Sequence, residues 1–182
     1  QPQILIPIGV SNDAGNAVQL RLGLDPSATS GIDNNLRETE LPPFPPSDVF
    51  DVRFTSSVAP SDLGFGTLRD VRGGDTSTSS DTLQYEISFQ TGGGVSSITF
   101  AWDLPRGFTG RLQDVFGGAA GVDEPMEGTG SYEVTNLNIT RVLILLVPDG
   151  SQNQTFGLPG VFHVDQNTQY GFRGSDAALR FS

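Results

Sequence analysis

Residues 23–54 read GLDPSATSGIDNNLRETELPPFPPSDVFDVRF, and the order of three local signals within them sets the fold class. The stretch opens with side-chain oxygens at alternate positions, Asp25, Ser27, Thr29 and Asp33, with Gly31 among them. It continues through Pro42, Pro43, Phe44, Pro45 and Pro46, which force an extended chain and forbid helix. It ends with Phe50, Val52 and Phe54 alternating with Asp51 and Arg53, the period-2 pattern of a half-buried strand. A turn-rich loop, a stiff crossing and then a strand are what carry a chain from one sheet to another.

The same period recurs on both sides. Ile4, Ile6, Ile8 and Val10 share one parity, with Pro7 on the other. Val18, Leu20, Leu22 and Leu24 alternate with Gln19, Arg21 and Gly23. Leu83, Tyr85, Ile87 and Phe89 form a further run, as do Ile98, Phe100, Trp102 and Leu104. Leu112 and residues 132–139, 141–147, 161–164 and 178–181 supply more strand candidates. Gly, Asp, Asn, Ser and Pro clusters separate the runs, aided by 23 glycines and 12 prolines in 182 residues. The expectation is an all-β, antiparallel two-sheet β-sandwich, jelly-roll or immunoglobulin-like. It should hold about nine or ten strands and minimal helix, a turn or two around residues 32–38. Length and pattern predict one domain over 1–182, with 1–16 as a possible donor strand, 17–148 as the core and 149–182 as a strand-bearing extension.

Composition excludes several chemistries. With no cysteine there are no disulfides, thiolate metal sites or Cys nucleophiles. All ten basic residues are arginine, so Schiff-base chemistry and Lys–Asn isopeptide cross-links are excluded. A net charge of -11 argues against nucleic acid and anionic membrane surfaces as partners. The longest apolar run, residues 142–147, is too short to span a bilayer, so no membrane insertion is expected. A first residue other than Met is what a chain cut after an export signal would show. One histidine, His163, allows no multi-His metal site, and there is no Gly-x-Ser-x-Gly elbow. The chain reads as a non-enzyme.

The stretch 23–54, then LRDVRGGD, then ITFAWDLPRGFTGRLQDVFGG, resembles modules of large exported proteins of gliding and related bacteria. Those modules precede the C-terminal sorting domain read by the type IX secretion system. The similarity covers roughly residues 17–148 and rests on the order of motifs. It implies an extracellular β-sandwich accessory module with no catalytic residues to carry over. Ser30 stands where the family usually has Asp, and residues 1–182 do not themselves include a sorting domain.

Two candidate sites follow. Asp25, Ser27, Thr29 and Asp33 offer oxygens at alternate positions, as a calcium ion requires, with Glu38 and Glu40 close in sequence. The same residues also suit an Asx/Ser turn network, the reading favoured. Asp70, Asp75 and Asp81 form a second acidic neighbourhood, read as a solvated loop. Phe44 is expected to plug one end of the core, and Trp102 to be buried. The second site is the apolar strand at the free end, Ile4, Ile6, Ile8 and Val10, a candidate for assembly by strand donation. The function these features favour is a structural subunit of an extracellular bacterial filament or surface layer, a homo-oligomer or homopolymer. The alternative is a calcium-assisted carbohydrate- or surface-binding module with a glycan as partner. Asn138-Ile-Thr140 and Asn153-Gln-Thr155 match the N-glycosylation pattern, and Asp81-Thr82-Leu83 a bacterial O-glycosylation pattern.

Overall fold

The computed structural model describes residues 1–57, 62–74 and 81–148. His163, Tyr170, Asp75 and the strand candidates within 149–182 lie outside the described residues. Ten strands and one short 3-10 turn, Asn34–Leu36, make up the regular structure there, so the all-β expectation holds. The strands are β1 (Ile4–Asn12), β2 (Ala17–Asp25), β3 (Asp51–Thr55), β4 (Arg69–Gly73) and β5 (Leu83–Gln90). After these come β6 (Ile98–Asp103), β7 (Phe108–Asp114), β8 (Asp123–Met126), β9 (Thr129–Val134) and β10 (Arg141–Pro148).

They form two five-stranded sheets. Sheet A has the order β4-β2-β1-β6-β9, and sheet B the order β3-β5-β10-β7-β8. The inward parity of each sheet supplies one hydrophobic core that includes Ile6, Ile8, Leu22, Phe54, Phe100, Trp102, Ile87 and Ile144. Phe89 and Phe100 meet edge-on across the sheets, with ring centres 5.5 Å apart. The indole of Trp102 lies against Gly130 of β9, where a Cβ would come within 2.8 Å of the ring.

β1 opens a hairpin with β2. Asn12 closes the turn, its Oδ1 accepting from the backbone N–H of Ala14 (3.1 Å) and of Asn16 (2.9 Å), while Gly15 takes φ 92°. One strand pair departs from the antiparallel expectation: β2 and β4 run parallel. The cause is how the chain reaches β4. Thr67 pairs with Phe54 at the edge of sheet B, and Leu68 then accepts a bond from Arg21 N in sheet A. The chain therefore steps from one sheet to the other just before β4, with its direction already set.

The proline segment lies in the connection from sheet A to sheet B, as its stiffness suggested. Phe44 does not plug the core. It remains 42% exposed, and the Arg53 guanidinium sits over its ring, 4.1 Å from the centre. Arg53 itself, on the face the alternation marks as wet, is only 2% exposed. The proline segment and the turn at Phe65 cover that face. Arg53 Nε and Nη2 donate to the Asp51 carboxylate (2.7 and 2.6 Å), and Nη1 donates to the carbonyls of Pro42 (2.7 Å) and Phe65 (2.9 Å). Gly66 permits this approach: its φ is 105°, and a Cβ there would lie 2.6 Å from Phe54 O and 2.7 Å from Arg53 Cδ.

Candidate functional site

The loop after β2 forms two hydrogen-bonded turns. Asp25 Oδ1 accepts from Ser27 N (2.9 Å) and Ser27 Oγ (2.6 Å), and Oδ2 accepts from Gln3 N (3.1 Å). The Ser27 hydroxyl, followed by its backbone N–H, holds the Asp25 carboxyl below the usual range. Asp33 Oδ2 accepts from Thr29 N (2.6 Å) and Oδ1 from Thr29 Oγ1 (3.0 Å). Thr29 Oγ1 accepts in turn from Gly31 N (3.2 Å). The four residues thus fall into two separate pairs, Asp25 with Ser27 and Asp33 with Thr29, whose donors occupy the carboxylate oxygens. Among the described residues no group of three His, Cys, Asp or Glu side chains is arranged to hold a metal ion. The geometry here is that of the turn network.

Beneath this loop lies a polar cluster that the sequence does not announce. Glu38 is 1% exposed, and its Oε2 accepts from Val71 N (3.0 Å), closing the free edge of β4. Its Oε1 faces Asp33 N at 3.4 Å. Burial, opposed by those two donors and helped by the charges of Asp70 and Asp33, pushes its carboxyl up to about 7. Asp70 is not a solvated loop residue, as its acidic surroundings suggested. It is a buried residue of β4 whose carboxylate accepts from Arg72 Nε (2.7 Å) and Nη2 (2.6 Å). Burial raises its carboxyl, with Arg72 working against the shift. Arg72 in turn lies 5.3 Å from the Tyr85 ring centre, and the Tyr85 hydroxyl donates to Gly23 O (2.7 Å). This line of groups ties β5 of sheet B to β2 and β4 of sheet A.

The candidate assembly strand is the central strand of its own sheet. β1 pairs with β2 from Ile4↔Leu24 to Ser11↔Ala17, and with β6 from Ile8↔Trp102 to Asn12↔Ile98. Ile6, Ile8 and Val10 are buried in the core of the same chain, and Ile4 packs partly against it. The structure differs here from donation of residues 1–16: one backbone edge of β1 along its length, the other edge from Ile8 to Asn12, and its apolar face are already occupied within one chain.

A rigid, exposed aromatic stands at the end of β7. The buried Asp114 carboxylate accepts from four backbone N–H groups, those of Phe116 (2.9 Å), Gly118 (3.1 Å), Ala120 (3.0 Å) and Val122 (3.1 Å). Burial acts against its charge, but the four donors outweigh it and hold the carboxyl below the usual range. Tyr132 donates its hydroxyl to Gly121 O (3.0 Å) and braces the same loop. At its tip the Phe116 side chain is 72% exposed. No signal in the sequence distinguishes Phe116 from a core phenylalanine.

No family model, curated protein or solved structure matches this chain.

Proposed function

We propose that this domain is a non-catalytic structural subunit that self-associates outside the cell, through its folded surface and not by giving up β1. The observation that carries the reading is the placement of exposed apolar side chains. Among the described residues, four of the five exposed large hydrophobics lie in the two connections that flank β3, Phe44 and Val49 before it and Phe65 and Leu68 after it. Phe44 and Phe65 are fixed around the same buried Arg53. Exposed apolar groups in two connections that meet at one buried side chain favour a protein partner. The resemblance of residues 17–148 to exported modules supports the extracellular location.

The accessory-module reading has one observation in its favour. A cleft of about 220 Å³ beside Phe116 is lined by Asn136, Asn138, Thr140 and Arg141, an aromatic with amides and a cation suited to a sugar.

Sedimentation velocity and negative-stain electron microscopy of the purified chain test the proposal. Concentration-dependent association is expected, reduced by Phe65→Ser with Leu68→Ser. A protein that stays monomeric at high concentration and is retained on a glycan column would reject assembly in favour of the accessory reading.

A further inference from the structure

The outward face of sheet A carries opposite charges on opposite sides of its central strand. Arg21 of β2 stands level with Arg69 of β4 on one side. On the other, Asp103 of β6 stands next beyond Trp102, which pairs with Ile8, so it is level with Pro7 and, through Pro7, with Arg21. Glu133 of β9 stands further along the same acidic side, level with Thr99. Between the two sides the face is nearly flat: the row of Gln19, Gly9, Ala101 and Ser131 crosses it with no large apolar or aromatic side chain.

The basic side is more isolated than composition would suggest. The chain has 21 acidic residues to 10 arginines. Among the described residues the four ion pairs use Arg53, Arg72, Arg111 and Arg141. Arg21, Arg37 and Arg69 instead border one cleft with Gln19, Thr39 and Leu68, and no carboxylate lines it. Arg21 donates to Gln19, and Arg69 to Leu36 O (3.0 Å). Like charges directly opposite in a sheet repel, so the Arg21–Arg69 neighbours cost stability that no acid in the cleft offsets. Arg37 is also the sole non-glycine residue with positive φ, 69°, among the described residues. This is the left-handed cap that ends the 3-10 turn, with Arg37 N donating to Asn34 O (3.0 Å), and it sets Arg37 beside the cleft.

We propose that sheet A packs face to face on sheet A of a second copy, about a two-fold axis that runs along β1. This rests on the assembly reading and assigns a contact on a different surface from the apolar groups that flank β3. A two-fold rotation about that direction exchanges the two sides of the sheet and keeps the level along the strands. Arg21 of one copy then faces Asp103 of the other, twice, and Glu133 of one lies toward the cleft that holds Arg37 of the other. Gly9 meets Gly9 at the axis, where the absence of side chains lets the sheets approach. Isologous contacts require this kind of self-complementarity. Five strands of about seven residues cover roughly 500 Å² per copy at ordinary sheet spacings. The pair would bury about 1,000 Å², the lower limit for a specific interface, so the dimer is weak and concentration-dependent.

Charge exchange tests the pairing. Arg21→Asp and Asp103→Arg are both at exposed positions; Arg21→Asp replaces the Arg21–Arg69 repulsion with an opposite-charge pair and should melt no lower than the wild type, while Asp103→Arg gives up the bond from Thr129 Oγ1 (2.8 Å) and should melt only slightly lower. Each alone places like charges at both contacts, and sedimentation should show dimer dissociation at least about tenfold weaker in affinity terms. An equimolar mixture of the two variants restores opposite charges at both contacts and should recover dimers of wild-type affinity. Raising salt should weaken the wild-type dimer. If the wild type associates and both variants associate equally well, the sheet A contact is wrong while assembly stands. If the wild type never associates, both are wrong. Retention of the wild type on a sulfated polysaccharide, lost in Arg21→Asp and without self-association, would overturn the dimer and give the cleft to a polyanion.

Discussion

At the scale of single residues, the account turns on charges placed where alternation predicts water. Arg53 follows Val52 and precedes Phe54, and period-2 reading sends it outward, which is correct as far as the strand goes. What covers it is the proline segment and the Phe65 turn, and neither is local to β3. Removing the guanidinium leaves Asp51 and two carbonyls without their donor, so Arg53→Ala should cost about 3–5 kcal/mol in urea denaturation. Arg53→Lys should fall between that variant and the wild type, since an ammonium cannot make the forked contact with Asp51. A stability equal to the wild type would show that the clamp contributes nothing. Glu38 sets a pH dependence of a definite sign. Its carboxyl lies at about 7 in the folded chain against 4.5 as the reference, so the folded state binds the extra proton. Its contribution is complete below the reference value and is lost as pH rises through about 7. Asp25 and Asp114 lie below their usual range and act oppositely, losing their contribution only at strongly acid pH. Melting temperature should therefore decline between about pH 5 and pH 8, and Glu38→Gln should flatten that decline. A wild-type melting temperature that rises across this interval would contradict the burial argument.

At the scale of elements, the strands with clean alternation were legible and the charged or interrupted ones were not. The runs at Ile4, Val18, Phe50, Leu83 and Ile98 correspond to β1, β2, β3, β5 and β6, because each has one apolar parity facing the core. β4 reads RDVRG, and its inward parity is the Asp70–Arg72 ion pair, which no hydrophobic pattern marks. β8 reads DEPM, too short and too polar to register, with Pro125 tolerated because the strand is at a sheet edge. The Asp25–Asp33 oxygens were visible as a local pattern, yet Glu38, which closes the β4 edge, meets Val71 N 33 residues away. Periodicity carries no information at that separation. The role of β1 likewise required its partners to be seen. An apolar strand at a free terminus is compatible with donation, whereas a strand with a ladder on each side is structural. Burying Ile6, Ile8 and Val10 contributes roughly 5–9 kcal/mol, comparable with the whole stability of a domain. Deleting residues 1–12 should abolish cooperative unfolding altogether. A truncated chain that still melts cooperatively would mean that β1 is dispensable to its own sheet.

At the scale of the whole molecule, the claim is that complete domains associate, each keeping its first strand. The absence of native cysteine makes this directly measurable. Ser11 and Ala17 face each other across the β1–β2 hairpin on the outward parity, a separation that a disulfide can span. In a Ser11→Cys, Ala17→Cys chain, oxidation ties β1 to its own neighbour and reduction releases it; because both positions face outward on sheet A, non-reducing electrophoresis checks that the disulfide formed lies within one chain. Sedimentation velocity over a concentration series, on the same preparation oxidised and reduced, is the deciding measurement. Association of whole domains predicts the same concentration-dependent sedimentation in both states. Association in the reduced state that vanishes on oxidation would mean that β1 leaves its sheet to join a neighbour, and would contradict the account.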